Sequence, residues 1–259
     1  RLPYGAKSQT TIARYAVESA RFLQQRGAQY LVIACNTATA LALPEIRAAV
    51  SIPVVGVIEP GAKAAASISV CHPEAQPKDL LLQPATDACV LVLATQATVH
   101  SHAYKNACSA LGLHATEKAC PLLVPLVEEG WVDHPVTRDV LRIYLTEALA
   151  LGTPEAVLLG CTHYPLIAAE ITAMLRTLNS QATVIDSAEA TAAEVARVVC
   201  SQGCHPEEHR DEGPASPGGP QPPATFECFA TDSVEKFQRL GSHFLGQPIP
   251  TVTLLDLGG

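Results

Sequence analysis

Charge is scarce in this 259-residue sequence and aromatic side chains are scarcer: charged residues make up 16% and aromatic residues 5%. There is one tryptophan and one methionine. The net charge is −8, so there is no cationic surplus, which argues against a nucleic-acid binder built on a basic face. No apolar run reaches the ~18 residues that a spanning helix needs, so no membrane role is expected. No signal-type segment precedes the first motif, and a cytoplasmic protein is expected. The sequence has no Gly-x-Gly-x-x-Gly after a strand and no P-loop, which removes the usual signals of nucleotide binding. Cys-x-x-Cys is also absent, against a thiol redox protein. Six lysines are present. None sits beside a cysteine motif, so a pyridoxal Schiff base is not suggested.

What is abundant is apolar. Hydrophobic residues make up 48%, enough to build a real core. Nine cysteines are an odd and high count for a chain without the spacing of a secreted framework. Most are read as small buried hydrophobes in a reducing compartment. Cys200, Cys204, His205 and His209 have spacings that zinc could use. They run into a proline-rich stretch that frames a closed site poorly, so no metal is expected.

Ser8 to Arg26 repeats apolar residues at three and four positions, with Ser8 placed to cap a helix and Gly27 to end it. Tyr30 to Ala34 is a short apolar run that predicts a strand buried on both faces. Pro44 is positioned to open the next helix, through Val50. Further strands are predicted at Pro53–Ile58, Cys89–Ala94, Ala156–Gly160, Thr183–Ile185 and Phe226–Ala230. Helices are predicted around Tyr104–Leu111, Leu122–Glu129, Val136–Leu149, Leu166–Leu178, Ala188–Cys200 and Ser233–Leu245. Alternation of this kind predicts an α/β fold with mostly parallel sheets. Two stretches, 69–87 and 205–224, break the rhythm and read as surface insertions without chemistry.

Leu31-Val32-Ile33-Ala34-Cys35-Asn36-Thr37 is echoed by Val157-Leu158-Leu159-Gly160-Cys161-Thr162-His163. Each is an apolar strand, a small residue, a cysteine and then hydrogen-bonding residues. The echo suggests two similar halves, each presenting a cysteine at the carboxyl end of a strand, the edge where ligands bind in open α/β sheets. A lone strand-end cysteine is usually packing; a matched pair is not. The amides of a following helix should lower such a thiol's pKa. Two thiols facing each other across a cleft can invert a carbon: a thiolate removes a proton from one side and a thiol returns one on the other. The carbanion-like state needs preorganised donors. Asn36, Thr37, Thr162 and His163 follow the cysteines, and Thr98 lies just past another strand. His163 is a proton partner for the adjacent thiol.

Pro3-Tyr4-Gly5-Ala6-Lys7-Ser8, Ala34-Cys35-Asn36-Thr37-Ala38-Thr39 and Gly160-Cys161-Thr162-His163-Tyr164-Pro165 resemble the signature blocks of glutamate racemases. Supporting blocks are Val57–Gly61, Leu93–Thr98, Cys120–Glu128 and Ile185–Ser187. The resemblance implies that Cys35 and Cys161 are the catalytic acid/bases, assisted by His163 and Glu128. It implies that Tyr4, Gly5, Asn36, Thr37, Thr98, Thr162 and His163 bind glutamate. It implies no cofactor, a homodimer, and D-glutamate for peptidoglycan as the product used. The implied fold is two pseudo-symmetric α/β domains with the active site in the cleft between them. Residues 1–58 with 184–259 would form the first domain and 59–183 the second. The family's Asp-Ser-Gly block, which contacts the substrate amine, has no counterpart in this sequence, and Arg1 to Gly5 read as the end of a loop, so an N-terminally truncated chain is expected. The alternatives are an aspartate racemase-like enzyme of the same superfamily, against which His163 argues, and an inactive binding protein.

Overall fold

The computed structural model describes residues 4, 7–69, 90–203, 226–249 and 251–257. Gly5, most of both expected insertions, and Cys204, His205 and His209 lie outside them. The chain divides into two compact units between Val195 and Ala196. Every described strand pairing is parallel, as the alternation of strands and helices predicts.

The unit before Ala196 opens with α1 (Gln9–Gln25), β1 (Leu31–Ile33), α2 (Asn36–Ala49), β2 (Val54–Gly56) and α3 (Ile58–Ser69). Ser8 caps α1, its side chain accepting from the Thr11 amide, and Gly27 follows at φ 90°, a conformation glycine adopts without strain. Ile12, Ala16 and Ala20 of α1 share one core with Ala38, Ala42 and Ile46 of α2. Small residues on both helices allow this close approach. β1 pairs with β2.

Two readings are corrected here. β1 is not buried on both faces: Val32 is 44% exposed, because the described helices α1 and α2 cover one side of a two-stranded sheet. Nor does Pro44 open α2. The helix begins at Asn36, directly after the strand, and Pro44 lies inside it. An interior proline costs about 3 kcal/mol. The Cys35 cap and the buried Ala38–Ala42–Ile46 stripe outweigh it.

Next come β3 (Val90–Ala94), α4 (Gln96–Ser101), α5 (Ala103–Ala110), β4 (Ala115–Ala119), α6 (Leu123–Glu128), α7 (Pro135–Leu149) and β5 (Ala156–Gly160). A 3₁₀ turn (Tyr164–Ile167), α8 (Ala168–Thr177), β6 (Thr183–Asp186) and the start of α9 (Ser187–Gly203) follow. The strands order β4-β3-β5-β6. β3 and β5 are fully buried, and their side chains alternate between two cores. Leu91, Leu93, Val157 and Leu159 pack on Leu123, Leu141, Leu145 and Ile171. Val90, Val92, Ala156 and Leu158 pack on Ala62, Ala65, Tyr104 and Cys108. Each large buried side chain contributes about 1.5–3 kcal/mol. The chain leaves β3 for one edge and β5 for the other, so the two central strands form a topological switch point.

The unit from Ala196 holds β7 (Cys228–Ala230), α10 (Val234–Leu245) and β8 (Val252–Leu254). Ser233 caps α10 and Gly246 ends it at φ 65°. Cys228, Ala230 and Val252 form a small core with Val234 and Ile249. No helix among the described residues is long and apolar enough to cross a membrane.

Candidate active site

β1 ends at Ile33, and Cys35 becomes the N-cap of α2, its sulfur accepting from the Ala38 amide at 3.4 Å. β5 ends at Gly160, and Cys161 follows at once, 6% exposed. Gly160 explains how close that strand end lies to its neighbours. A Cβ there would meet the Leu93 carbonyl oxygen and the Tyr104 ring at 3.0 Å and the Ala94 Cβ at 3.1 Å. A side chain before the thiol would have to push these neighbours aside.

Both thiols line one cavity of about 470 Å³, wholly within the unit before Ala196. Tyr4, Asn36, Thr37, Thr162, His163 and Glu128 line it as well. All eight expected site residues other than Gly5 and Thr98, the two thiols included, thus meet at one place. Four described cysteines, Cys108, Cys120, Cys200 and Cys228, do not line it. Among the described residues, no cluster of three metal-ligating side chains is present.

His163 connects two elements. Its Nδ1 lies 3.8 Å from the Cys161 sulfur and its Nε2 lies 3.2 Å from a Glu128 carboxylate oxygen. Glu128 comes from the end of α6, so a turn after β5 and a helix after β4 converge behind one thiol. The order thiol, imidazole, carboxylate can move a proton to and from sulfur.

The expected lowering of the thiol pKa values is overturned. Burial raises Cys35, and it outweighs the amides of Ala38 and Thr37 and the Thr37 hydroxyl, all of which favour the thiolate. Part of Cys35's surface opens to the cavity. Cys161 is pushed up to about 12, first by burial and then by the negative charges of a Cys35 thiolate and Glu128, against an amide bond from His163. Helix amides act as anticipated, but desolvation of the charged form is larger.

Thr98 stands apart from the cavity wall. It is fully buried and does not line the cavity, whereas Thr95 does. The hydroxyls of Thr37, Thr95 and Thr98 form a triangle of 2.9, 3.0 and 3.1 Å. Asn36 Oδ1 is buried without a hydrogen-bond partner among the described residues.

Thr95, Gln96, Pro121, Val124, Pro125 and Glu129 complete the wall. Thr95 follows an apolar strand as Cys35 and Cys161 do, a signal the strand-end rule could have used. Pro121, Val124 and Pro125 follow β4, a strand with no apolar signature.

The Asp/Glu/Hydantoin racemase family model matches residues 1–195. The glutamate racemase of Koribacter versatilis (strain Ellin345) is 45% identical, over 100% of this chain and 86% of its own. The crystal structure of glutamate racemase from Thermus thermophilus in complex with β-chloro-D-alanine superimposes with a TM-score of 0.74. It is 36% identical and covers 98% of this chain and 83% of its own. The structure from Francisella tularensis subsp. tularensis SCHU S4 in complex with D-glutamate gives a TM-score of 0.78. Its identity is 26%, with coverage of 99% and 84%.

Proposed function

Because the chain belongs to the Asp/Glu/Hydantoin racemase family and is an amino-acid racemase, we propose that it interconverts L- and D-glutamate by a two-thiol mechanism. One observation carries this reading: the cysteines of two separate strand ends, Cys35 and Cys161, line one cavity of about 470 Å³. The relatives named for glutamate, at 45% and 36% identity, support the substrate.

Cys35 deprotonates D-glutamate and Cys161 deprotonates L-glutamate, the opposite thiol returning the proton. His163 takes and returns the proton of Cys161, and Glu128 orients His163. Burial makes each resting thiol a reluctant acid. It also makes a thiolate, once formed, a strong base in a dry site. The negative charge that develops on the substrate is met by the first amides of α2 and by neutral donors from Asn36, Thr37, Thr162 and Tyr4. Asn36 Oδ1, buried without a partner, offers an acceptor to the substrate ammonium. Gly5 is proposed as a further substrate contact. Thiols supply the acid/base chemistry, so no cofactor is required.

D-glutamate made in this way serves peptidoglycan synthesis in the cytoplasm. The active unit is a homodimer, and residues 1–58 with 184–259 and 59–183 act as the two domains of the family.

Single Cys35→Ala and Cys161→Ala variants test the mechanism. Racemisation should fall at least about 10²-fold in both directions, because equilibrium ties the two rates. In deuterated water, Cys35→Ala should still exchange the α-hydrogen of L-glutamate without inversion, and Cys161→Ala that of D-glutamate. Near wild-type racemisation by both variants would show that the thiols are core residues only.

A further inference from the structure

The threonine triangle joins two sheets that share no strand pairing among the described residues. Thr37 lies on the first turn of α2, two residues after Cys35. Thr95 caps α4 at the carboxyl end of β3, where its hydroxyl oxygen accepts from the Thr98 amide at 3.4 Å. β3 and β5 pair in the register Ala94↔Gly160, so Thr95 and Cys161 leave neighbouring strands at one level. Hydroxyl bonds therefore link the helix that carries Cys35 to the strand beside Cys161.

Three hydroxyls hold three protons, and each oxygen can donate one bond and accept another, so the triangle can close on itself. Thr37 and Thr95 face the cavity and Thr98 does not. A ligand that accepts a hydrogen bond from Thr37 or Thr95 opens one side, and Thr98 still donates to the pair. The joint survives occupancy.

We propose that Thr98 is a positioning residue, whose hydroxyl holds the end of β3 against the first turn of α2 and so sets the gap between Cys35 and Cys161 without touching the substrate. This rests on the two-thiol reading above. The nearer groups, Thr37 and Thr95, are exposed to the cavity and can serve the substrate directly. Thr98, fully buried behind them, can act only through them.

The test compares Thr98→Ser with Thr98→Ala. Both lose the methyl group and only the second loses the hydroxyl. Two measurements are made on the whole chain. One is kcat and KM for glutamate in both directions. The other is the rate at which a short bis-maleimide bridges Cys35 and Cys161 without substrate, read by peptide mass. Thr98→Ala should lower kcat in both directions by about tenfold to a hundredfold, since misplacement of the order of 1 Å has that effect. KM should change by less than about twofold, bridging should slow, and Thr98→Ser should behave as wild type. A raised KM with unchanged kcat in Thr98→Ala would mean a substrate contact and overturn the proposal, as would identical behaviour of the two variants. Should the wild-type chain fail to racemise glutamate, the functional reading falls. The bridging rates then still decide the joint, and equal rates in Ser and Ala overturn it.

Discussion

Replacing Glu128 with glutamine separates two effects that the site combines. Glu128 accepts from His163 Nε2 at 3.2 Å, and the two side chains are only 12% and 22% exposed. With the proton on Nε2, Nδ1 faces the Cys161 sulfur 3.8 Å away as an acceptor. Glutamine can keep a neutral bond through its own oxygen but loses the charge. Bonds to a charged group contribute about 1.5–3 kcal/mol and neutral ones about 0.5–1.5 kcal/mol. The difference, on the order of 1.4 kcal/mol, corresponds to about tenfold in rate. The loss applies when the imidazole holds the proton of Cys161, so kcat/KM should fall about tenfold in both directions. The second effect has the opposite sign. Glu128 is one of the charges that push Cys161 up to about 12, so its removal should make the thiolate easier to form. Alkylation of Cys161 by iodoacetamide, followed against pH in a Cys35→Ala background, should move to lower pH while racemisation by Glu128→Gln slows. Racemisation at the wild-type rate would refute the orienting role. An upward move of the alkylation profile would refute the charge argument.

Two further predictions concern stability. Gly160→Ala forces a Cβ to within 3.0 Å of a backbone oxygen, an overpacking that costs about 1–3 kcal/mol; Tm should drop by roughly 2–12 °C, and Ala94→Gly in the same chain should recover part of it. A Gly160→Ala chain as stable as wild type would show that β5 has room to shift. Cys120, buried and outside the cavity, is raised from 9.0 to about 12, chiefly by burial. The fold therefore favours the protonated thiol: its contribution is complete below about pH 9 and is lost as pH rises toward 12, at about 1.4 kcal/mol per pH unit. Urea unfolding between pH 9 and 11 should thus show a shallower decline for Cys120→Ala than for wild type, and parallel declines would contradict the assignment.

The parts of this molecule that were legible in the sequence are those where burial leaves a pattern. Leu91–Ala94 and Val157–Gly160 are apolar at every position because β3 and β5 are covered on both faces. The echo around Cys35 and Cys161 located both thiols, since the chain turns from strand to helix after each. β4 escaped because Ala115-Thr116-Glu117-Lys118-Ala119 lies at a sheet edge, where charged side chains are normal. α3 escaped because Pro60 and Gly61 near its start read as a break. Gly61 is small because its Cβ would press on Ser187 and Tyr104, which is a tertiary fact. The place of Thr98 behind Thr95 was equally hidden: two threonines three apart on a short helix give no sign of which one faces a cavity. The direction of the thiol shifts depended on depth of burial, which residue spacing does not record.

The lining of the cavity has one more consequence. Among the described residues its wall includes Glu128 and Glu129 but no lysine or arginine. A guanidinium or ammonium clamp attracts any small anion and holds it whether or not its shape is right. Walls of hydroxyls, amides and carboxylates do not, and the net charge of −8 adds a weak repulsion of its own. Phosphate and chloride therefore gain little by entering. On the proposed reading, a molecule that brings its own cation, placed to meet an acceptor while its carboxylates meet neutral donors, is favoured over them. Such a site would discriminate by being unattractive to ions that have no such internal partner.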